Sequence, residues 1–450
     1  MPSNKDILEA QRYNRRRLLT AFMSGIDGEG HEYEPRSQTR PLVIGVVLTV
    51  ILIAVGLVLG RMAPRLPNNW ENSTLVLQQG SGARMLTIDG VLRPVTNTTS
   101  ARLLSEPGRF QVVTLPAAAL SEIPRGTPVG LTDAPDAIPL PEDLHSEVWA
   151  ACATSDGRQR TWVGAPPDGL TPKGLAVVSV ADDLYLVTEG AYHLIRRERG
   201  DDRVRIALQL DQAPVHPVSG AWLSLFTRGS DLAPLVLPRE GEPTADMPPR
   251  LQGARVGSLL EVSDGETARH FLIVGDGQIA SLSDTAYRLA AAALERTSEI
   301  PLTGTMQDVA ELELVEVPDV PQDWPATLAE VIPEGERVCG QFVTTAAGPA
   351  TILASRPAPK AADPEPEPAV TVAGGSGALV RGVSGGTLGS LHLVTDQGVT
   401  YGLGEANQDA LARLGYTPED VTVLPAPWLS LIPSGAVLTP EAAWATVKKS

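Results

Sequence analysis

Leu42 to Leu59 reads LVIGVVLTVILIAVGLVL, eighteen residues without a charge, fourteen of them Leu, Ile or Val. Coiled as a helix at about 1.5 Å per residue it spans about 27 Å, close to the hydrocarbon thickness of a bilayer. Each central Leu, Ile or Val favours insertion by about 0.3–0.6 kcal/mol, and one Thr, one Ala and two glycines do not cancel the sum. A buried core helix of a soluble domain rarely runs this far without a polar face. A secretory leader would lie nearer the start and end in a small-x-small cleavage site. Here about forty residues precede the stretch and Arg61-Met62-Ala63-Pro64-Arg65 follows it. The sequence therefore predicts an uncleaved transmembrane helix over residues 41–60, with the lipid bilayer as its first partner.

Charge orients it. The tail of residues 1–40 holds Lys5, Arg12, Arg15, Arg16, Arg17, Arg36 and Arg40, which the positive-inside rule places in the cytoplasm. Arg61 and Arg65 oppose this weakly, but a large following domain crosses regardless of its charge. The expected topology is N-terminus inside, C-terminus outside. Within the span Gly45, Thr49, Gly56 and Gly60 fall within about 60° of one another at about 100° per residue. Such a stripe of small residues lets a second helix approach closely, although chance placement gives the same spacing.

The 390 residues beyond the span are enough for several domains. The net charge is −17, and seven basic against six acidic residues in the tail leave −18 for the exported part. That acidity argues against nucleic acid as a partner and keeps a large external domain soluble. The two cysteines, Cys152 and Cys339, read as one disulfide outside the membrane.

In the tail, Ser3-Asn4-Lys5-Asp6 has the form of a capping box, and Ile7, Leu8, Leu18, Leu19, Phe22 and Met23 recur at helical spacing. A helix over 4–23 is expected, followed by a polar tether over Gly25–Thr39. The Arg15-Arg16-Arg17 run fits lipid headgroups, an acidic partner surface or topology enforcement alone.

Past the span, short apolar runs are broken by Gly and Pro, which indicates a β-rich body. Four stretches share one form, an apolar strand ending in an acid and a Gly before another strand: 85–90, 185–190, 271–277 and 391–398. Short helices follow three of them, at Thr99–Leu104, Asp284–Glu295 and Glu405–Leu414, the last closed by Gly415. The corresponding Arg196–Arg205 is too charged and Gly-broken to read as a helix. Pro-punctuated segments then return the chain, at 115–124, 214–225, 318–324 and 424–433. The fold class expected is α+β and β-rich, with four degenerate α/β repeats at 61–143, 166–245, 246–330 and 371–450. Two Cys-bearing hairpins at 144–165 and 331–356 form a central domain between them, and 357–370 is a Pro-rich acidic linker. A disulfide closing a loop of 187 residues (339 − 152) stabilises by about 4–5 kcal/mol on the chain-entropy view, less with strain.

No site chemistry assembles. The glycine run Gly374-Gly375-Ser376-Gly377 contains no Lys, and no Walker A loop occurs in the sequence. Gly382-Val383-Ser384-Gly385-Gly386 matches the nucleophile elbow G-x-S-x-G, but a strand follows it where the elbow needs a helix. His31, His145, His193, His216, His270 and His392 are scattered without metal-ligand spacing. Trp149, Trp162, Trp222 and Trp428 read as core. No catalytic residue, cofactor or metal is expected.

The tail motif Gln11-Arg12-Tyr13-Asn14-Arg15-Arg16-Arg17, the single span, the Cys152/Cys339 pair and the Pro-rich return of the last repeat occur in an order that resembles EccB, a membrane component of type VII (ESX) secretion systems. The likeness covers essentially the whole chain. It implies a structural subunit in an inner-membrane complex with EccC, EccD and EccE, self-associating through a periplasmic domain. The tail, through Arg15, Arg16, Arg17, Leu18, Leu19 and Phe22, would bind the cytoplasmic bridge of the motor EccC. Members are sometimes labelled ATPases, which makes ATP the alternative cofactor and ATP hydrolysis the alternative activity. A third reading, a peptidoglycan-binding module, follows from repeated exported β-rich units.

Overall fold

The computed structural model describes residues 3–24, 39–61, 66–197, 202–263, 268–294, 300–316, 320–359, 369–404 and 407–444. The chain forms two units, Met1–Arg65 and Leu66–Ser450. The first holds two helices. In α1 (Asn4–Ser24) the Ser3 backbone N–H donates to the Asp6 carboxylate at 3.0 Å, while the Ser3 hydroxyl accepts from Lys5 N–H at 3.3 Å. That is one half of the expected capping box, with the other donor moved forward by one residue. α2 (Thr39–Arg61) carries the apolar stretch and is the one helix among the described residues long and apolar enough to cross a membrane. The expected tether lies outside the described residues apart from Thr39, which opens α2.

In the second unit alternating burial yields five sheets. The first comprises β1 (Thr74–Gln78), β2 (Arg84–Ile88), β3 (Val91–Pro94) and β4 (Gln111–Leu115) in the order β3-β2-β1-β4. β1 to β3 are an antiparallel meander, α3 (Thr98–Leu104) follows, and β4 returns parallel to β1. The β2–β3 turn is Asp89-Gly90, with φ of 52° and 71°. Both central residues of such a two-residue hairpin turn need φ above zero, which is why an acid followed by Gly marked the site in sequence.

β5 (Trp149–Ala153), β6 (Gln159–Val163) and β7 (Thr171–Pro172) open a central sheet. The second outer sheet has β8 (Ala176–Val180), β9 (Asp183–Val187), β10 (Ala191–Leu194), β11 (Val215–Pro217) and β12 (Thr227–Arg228), in the order β11-β8-β9-β10-β12. Its helices are α4 (Arg203–Ala207) and α5 (Gly220–Leu223). The third has β13 (Leu259–Ser263), β14 (Ala268–Gly275), β15 (Gln278–Leu282), β16 (Leu302–Gly304) and β17 (Glu313–Leu314), in the order β16-β13-β14-β15-β17, with α6 (Asp284–Leu294) and α7 (Met306–Ala310). β18 (Glu336–Thr345), β19 (Gly348–Pro357) and β20 (Val370–Val372) complete the central sheet as β20-β6-β5-β18-β19-β7. The fourth outer sheet has β21 (Ala378–Ser384), β22 (Thr387–Val394), β23 (Thr400–Gly402) and β24 (Thr422–Pro425), ordered β23-β22-β21-β24, with α8 (Asn407–Leu414) and α9 (Pro440–Ala443). In every outer sheet a three-strand meander is followed by a helix and by a strand parallel to its first strand.

Period two sends alternate residues to different cores. Ala176 and Val178 of β8 pack on the central sheet, while Val177 between them joins the core shared with the third outer sheet. Val380 of β21 likewise faces the central core and Leu379 faces a core shared with Leu103 of α3. The first and fourth outer sheets thus share one core, and the second and third share another.

Three expectations need correction. The Arg196–Arg205 stretch ends in a helix after all, α4, because Val204 and Leu208 are buried in the core that also takes Leu289 of α6. Tertiary burial outweighs the local charge there. In the third outer sheet the returning strand is β16, ahead of the 318–324 segment, where Trp324 packs into a core instead. The central sheet also takes β7 and β20 on its edges, from stretches read as repeat and linker. Residues 360–368 of that linker lie outside the described residues.

Candidate functional site

The structure centres on the disulfide. β5 and β18 run antiparallel with Cys339 directly opposite Cys152, Cα atoms 3.9 Å apart and the sulfurs bonded. The inner face of this sheet presents Trp149, Ala151, Ala153, Val338 and Phe342 to a core completed by Trp222 and Trp428. All three tryptophans are fully buried, and each indole N–H finds an acceptor. Trp149 donates to Ser146 O at 2.9 Å, Trp222 to Ala151 O at 2.8 Å, and Trp428 to Thr351 Oγ1 at 2.9 Å. Trp149 and Trp428 meet edge to face at 6.0 Å. The fourth, Trp162, lies on the opposite face beside the disulfide.

Two polar joints hold the outer sheets in pairs. Between the first and fourth, Arg102 and Arg413 reach across, and the Tyr416 hydroxyl donates to Pro139 O at 2.6 Å. Burial holds the Tyr416 phenol well above its ordinary pKa, so it stays a donor. Between the second and third, the Asp323 carboxylate accepts from Ser230 N–H at 2.7 Å and Trp324 Nε1 donates to Asp231 O at 3.2 Å. Hydrogen bonds from Ser230 lower the Asp323 pKa, outweighing burial, which acts the other way and is the larger single influence.

The sequence candidates for chemistry fall in structural roles. Ser384 is the last residue of β21, paired with Thr387 across the turn Gly385-Gly386, whose φ values are 54° and 78°. Strand–turn–strand leaves no helix to activate a nucleophile. Gly374–Gly377 is a turn in which Gly375 N–H donates to the Asp396 carboxylate at 2.9 Å, while Ser376 N–H donates to Ala373 O at 3.0 Å and Gly377 N–H to Asp143 O at 3.2 Å, so these amides are already engaged. His216 bonds Ile332 O at 3.4 Å, and His392 is half-buried in β22 with Nδ1 unpartnered; burial lowers the pKa of both. His193, scarcely noticed in sequence, is buried with Nδ1 on Ser230 O at 2.8 Å.

A cleft of about 330 Å³ opens between the central region and the fourth outer sheet, lined by His145, Glu147, Glu419 and Asp420 among others. Among the described residues no Lys or Arg lines it. Sequence reading missed this cleft because its acids lie more than 270 positions apart in the chain (147 to 419).

On α1, Arg15, Arg16, Arg17, Leu18, Leu19 and Phe22 are all exposed, Phe22 to 93%. On α2, a Cβ added at Gly45 or Gly56 meets nothing within 4 Å, and the Thr49 hydroxyl donates to Gly45 O at 2.8 Å. Gly60 follows on the same helix.

A sequence profile of the family described as type VII secretion system ESX-1, transport TM domain B (EccB) matches residues 1–448. The chain belongs to the EccB family. Among curated EccB relatives it is 28% identical over 293 residues to the ESX-2 secretion system ATPase EccB2 of Mycobacterium tuberculosis, in strains CDC 1551 / Oshkosh and ATCC 25618 / H37Rv. That match takes in 61% of this chain and 56% of each relative, so the chain spans little more than half their length. Its fold is similar to a chain of the intact ESX-5 inner membrane complex, with TM-score 0.67, 21% identity and coverage of 100% of this chain and 96% of that one. It is also similar to the EccB3 dimer from the ESX-3 core complex, with TM-score 0.66, 20% identity and coverage of 82% and 99%. A chain of the periplasmic assembly from the ESX-5 inner membrane complex gives TM-score 0.64 at 22% identity, covering 85% and 98%. At these identities the likeness is one of fold.

Proposed function

We propose that this EccB-family chain is an assembly subunit of a type VII secretion complex in the inner membrane. α2 crosses the bilayer once, the tail lies in the cytoplasm, and the unit from Leu66 onward is periplasmic. The observation that carries this reading is the family match over residues 1–448, which takes in tail, apolar helix and body together. In this reading the four outer sheets are degenerate copies of one α/β unit, at about the boundaries drawn from the sequence. Copies of the chain associate through the periplasmic body, the arrangement named for the EccB3 dimer. The exposed Leu18, Leu19 and Phe22 with Arg15, Arg16 and Arg17 dock on EccC, and EccD and EccE complete the complex. The stripe of Gly45, Thr49, Gly56 and Gly60 packs against another membrane helix, for which the open space at Gly45 and Gly56 leaves room.

The relatives' name carries the word ATPase. The acidic lining of the cleft described above disfavours a triphosphate, which would meet three carboxylates and, among the described residues, no Lys or Arg. We therefore propose a role without nucleotide turnover. The test is deletion of residues 1–23. A membrane-inserted protein that no longer copurifies with EccC supports the reading, and normal copurification contradicts it.

A further inference from the structure

β4 is the return strand of the first outer sheet and lies at its edge, in the order β3-β2-β1-β4. In its parallel ladder with β1, Gln111 N–H donates to Ser73 O at 3.1 Å and Leu115 O accepts from Gln79 N–H at 2.8 Å. A parallel ladder engages every second residue of a strand, so Gln111, Val113 and Leu115 bond to β1. Val112 and Thr114 turn their N–H and C=O groups the other way. Among the described residues nothing bonds those four groups, and both side chains are exposed, Val112 to 49%.

Edges of this kind are normally blunted by charge, proline or brevity. The other return strands are blunted: β11 ends at Pro217, β24 ends at Pro425, and β16 has three residues. The opposite edge of the first sheet is covered, with bridges from Leu92 to Arg125 and from Val95 to Val129. β4 reads Gln-Val-Val-Thr-Leu, five residues without a charge or a proline.

The free groups are self-complementary. In an antiparallel pair with a second β4, about a two-fold axis through Val113, the N–H and C=O of Val112 meet the C=O and N–H of Thr114 in the second copy. The axis repeats the exchange on its other side, so all the free groups are bonded. Val113 then faces Val113 of the second copy, beside the core that takes Leu115 and Leu120, and no like charges stand opposite.

We propose that the free edge of β4 is a site of self-association, where a second copy of the chain adds its own β4 and joins two four-stranded sheets into one. This pairing rests on the reading that copies associate through the periplasmic body, and it names the strand that joins them.

The test is disulfide trapping in membranes carrying the full-length protein. Cys152 and Cys339 are bonded to each other, so Val113→Cys adds the chain's sole free thiol. Residues opposite each other at a non-hydrogen-bonded position have Cα atoms about 4.5 Å apart, within disulfide reach. Mild oxidation should give a covalent dimer of V113C, several-fold more than of V112C or T114C, whose thiols are offset along the strands. Thr114→Pro removes an outward N–H and spares the ladder to β1. V113C/T114P should therefore lose most of the dimer while its melting temperature matches that of V113C. Native mass spectrometry of the same samples reports assembly independently. Noncovalent dimers that V113C does not trap, equal trapping at the three positions, trapping that survives T114P, or adducts to another protein would overturn the pairing and leave self-association standing. Monomers alone in every sample would contradict both.

Discussion

Arg102 and Arg413 each serve the end of the other's helix. Arg102 Nη1 donates to Leu414 O at 3.2 Å, the last residue of α8, and Arg413 Nη1 donates to Leu103 O at 3.3 Å and Ser105 O at 2.6 Å, at the end of α3. Terminal carbonyls have no intrahelical donor, so each helix supplies what the other lacks. Arg413 is held in place by Asp409, 2.8 Å away one turn earlier. Two segments about three hundred positions apart in the chain are joined by this exchange.

Arg413→Ala should therefore cost about 1–3 kcal/mol, since charged hydrogen bonds to part-buried carbonyls are lost. Arg102→Ala should cost less, and the double variant should fall short of the sum, because both substitutions open one joint. Chemical denaturation of the four proteins checks this. Additive losses would show that the two arginines act separately.

Reduction of the disulfide should lower stability by up to about 4–5 kcal/mol, the chain entropy of a loop this long. The denaturation midpoint with and without reductant measures it, with C152A/C339A as the second variant. Far-ultraviolet circular dichroism of the reduced protein should change little before the transition, because hydrogen-bonded strands flank the bond on both sides.

Two glycines of one run should behave oppositely. A Cβ at Gly377 falls 2.3 Å from Val394 O and 2.8 Å from Pro139, so Gly377→Ala should destabilise by about 1–3 kcal/mol. Gly374 has nothing within 4 Å, and Gly374→Ala should be near neutral. Equal effects, read from melting temperatures, would point to a role for the run other than packing.

Stability should decline as the pH drops from about 7 toward 5.5. His216 and His392 have folded pKa values lowered by burial. The unfolded chain takes up their protons near pH 6.5 while the folded chain does not, so each proton gained favours unfolding. H216Q/H392Q should flatten part of that slope in thermal melts at the two pH values, and an unchanged slope would assign it to other groups.

Much of this architecture was legible because its signals are local. Eighteen apolar residues make a span, and an acid before Gly makes a hairpin turn at Asp89-Gly90 and Asp276-Gly277. Each Cys lies within a strand-forming run. What sequence concealed depends on distant partners. α4 is five residues long and owes its helix to Val204 and Leu208 finding a core. β7 and β20 are two and three residues long, too short for any periodicity, and exist because the central sheet has edges to fill. The Arg102–Arg413 exchange has no local signature, since each arginine reads alone as a solvated helix residue.

That Thr39–Arg61 separates a small cytosolic handle from a large external body is tested most directly by adding protease to intact spheroplasts carrying the full-length protein with an N-terminal tag. The body beyond Leu66 should be digested while a tagged fragment of tail and span survives. A body left whole while the membrane is intact, and digested only after lysis, would contradict it.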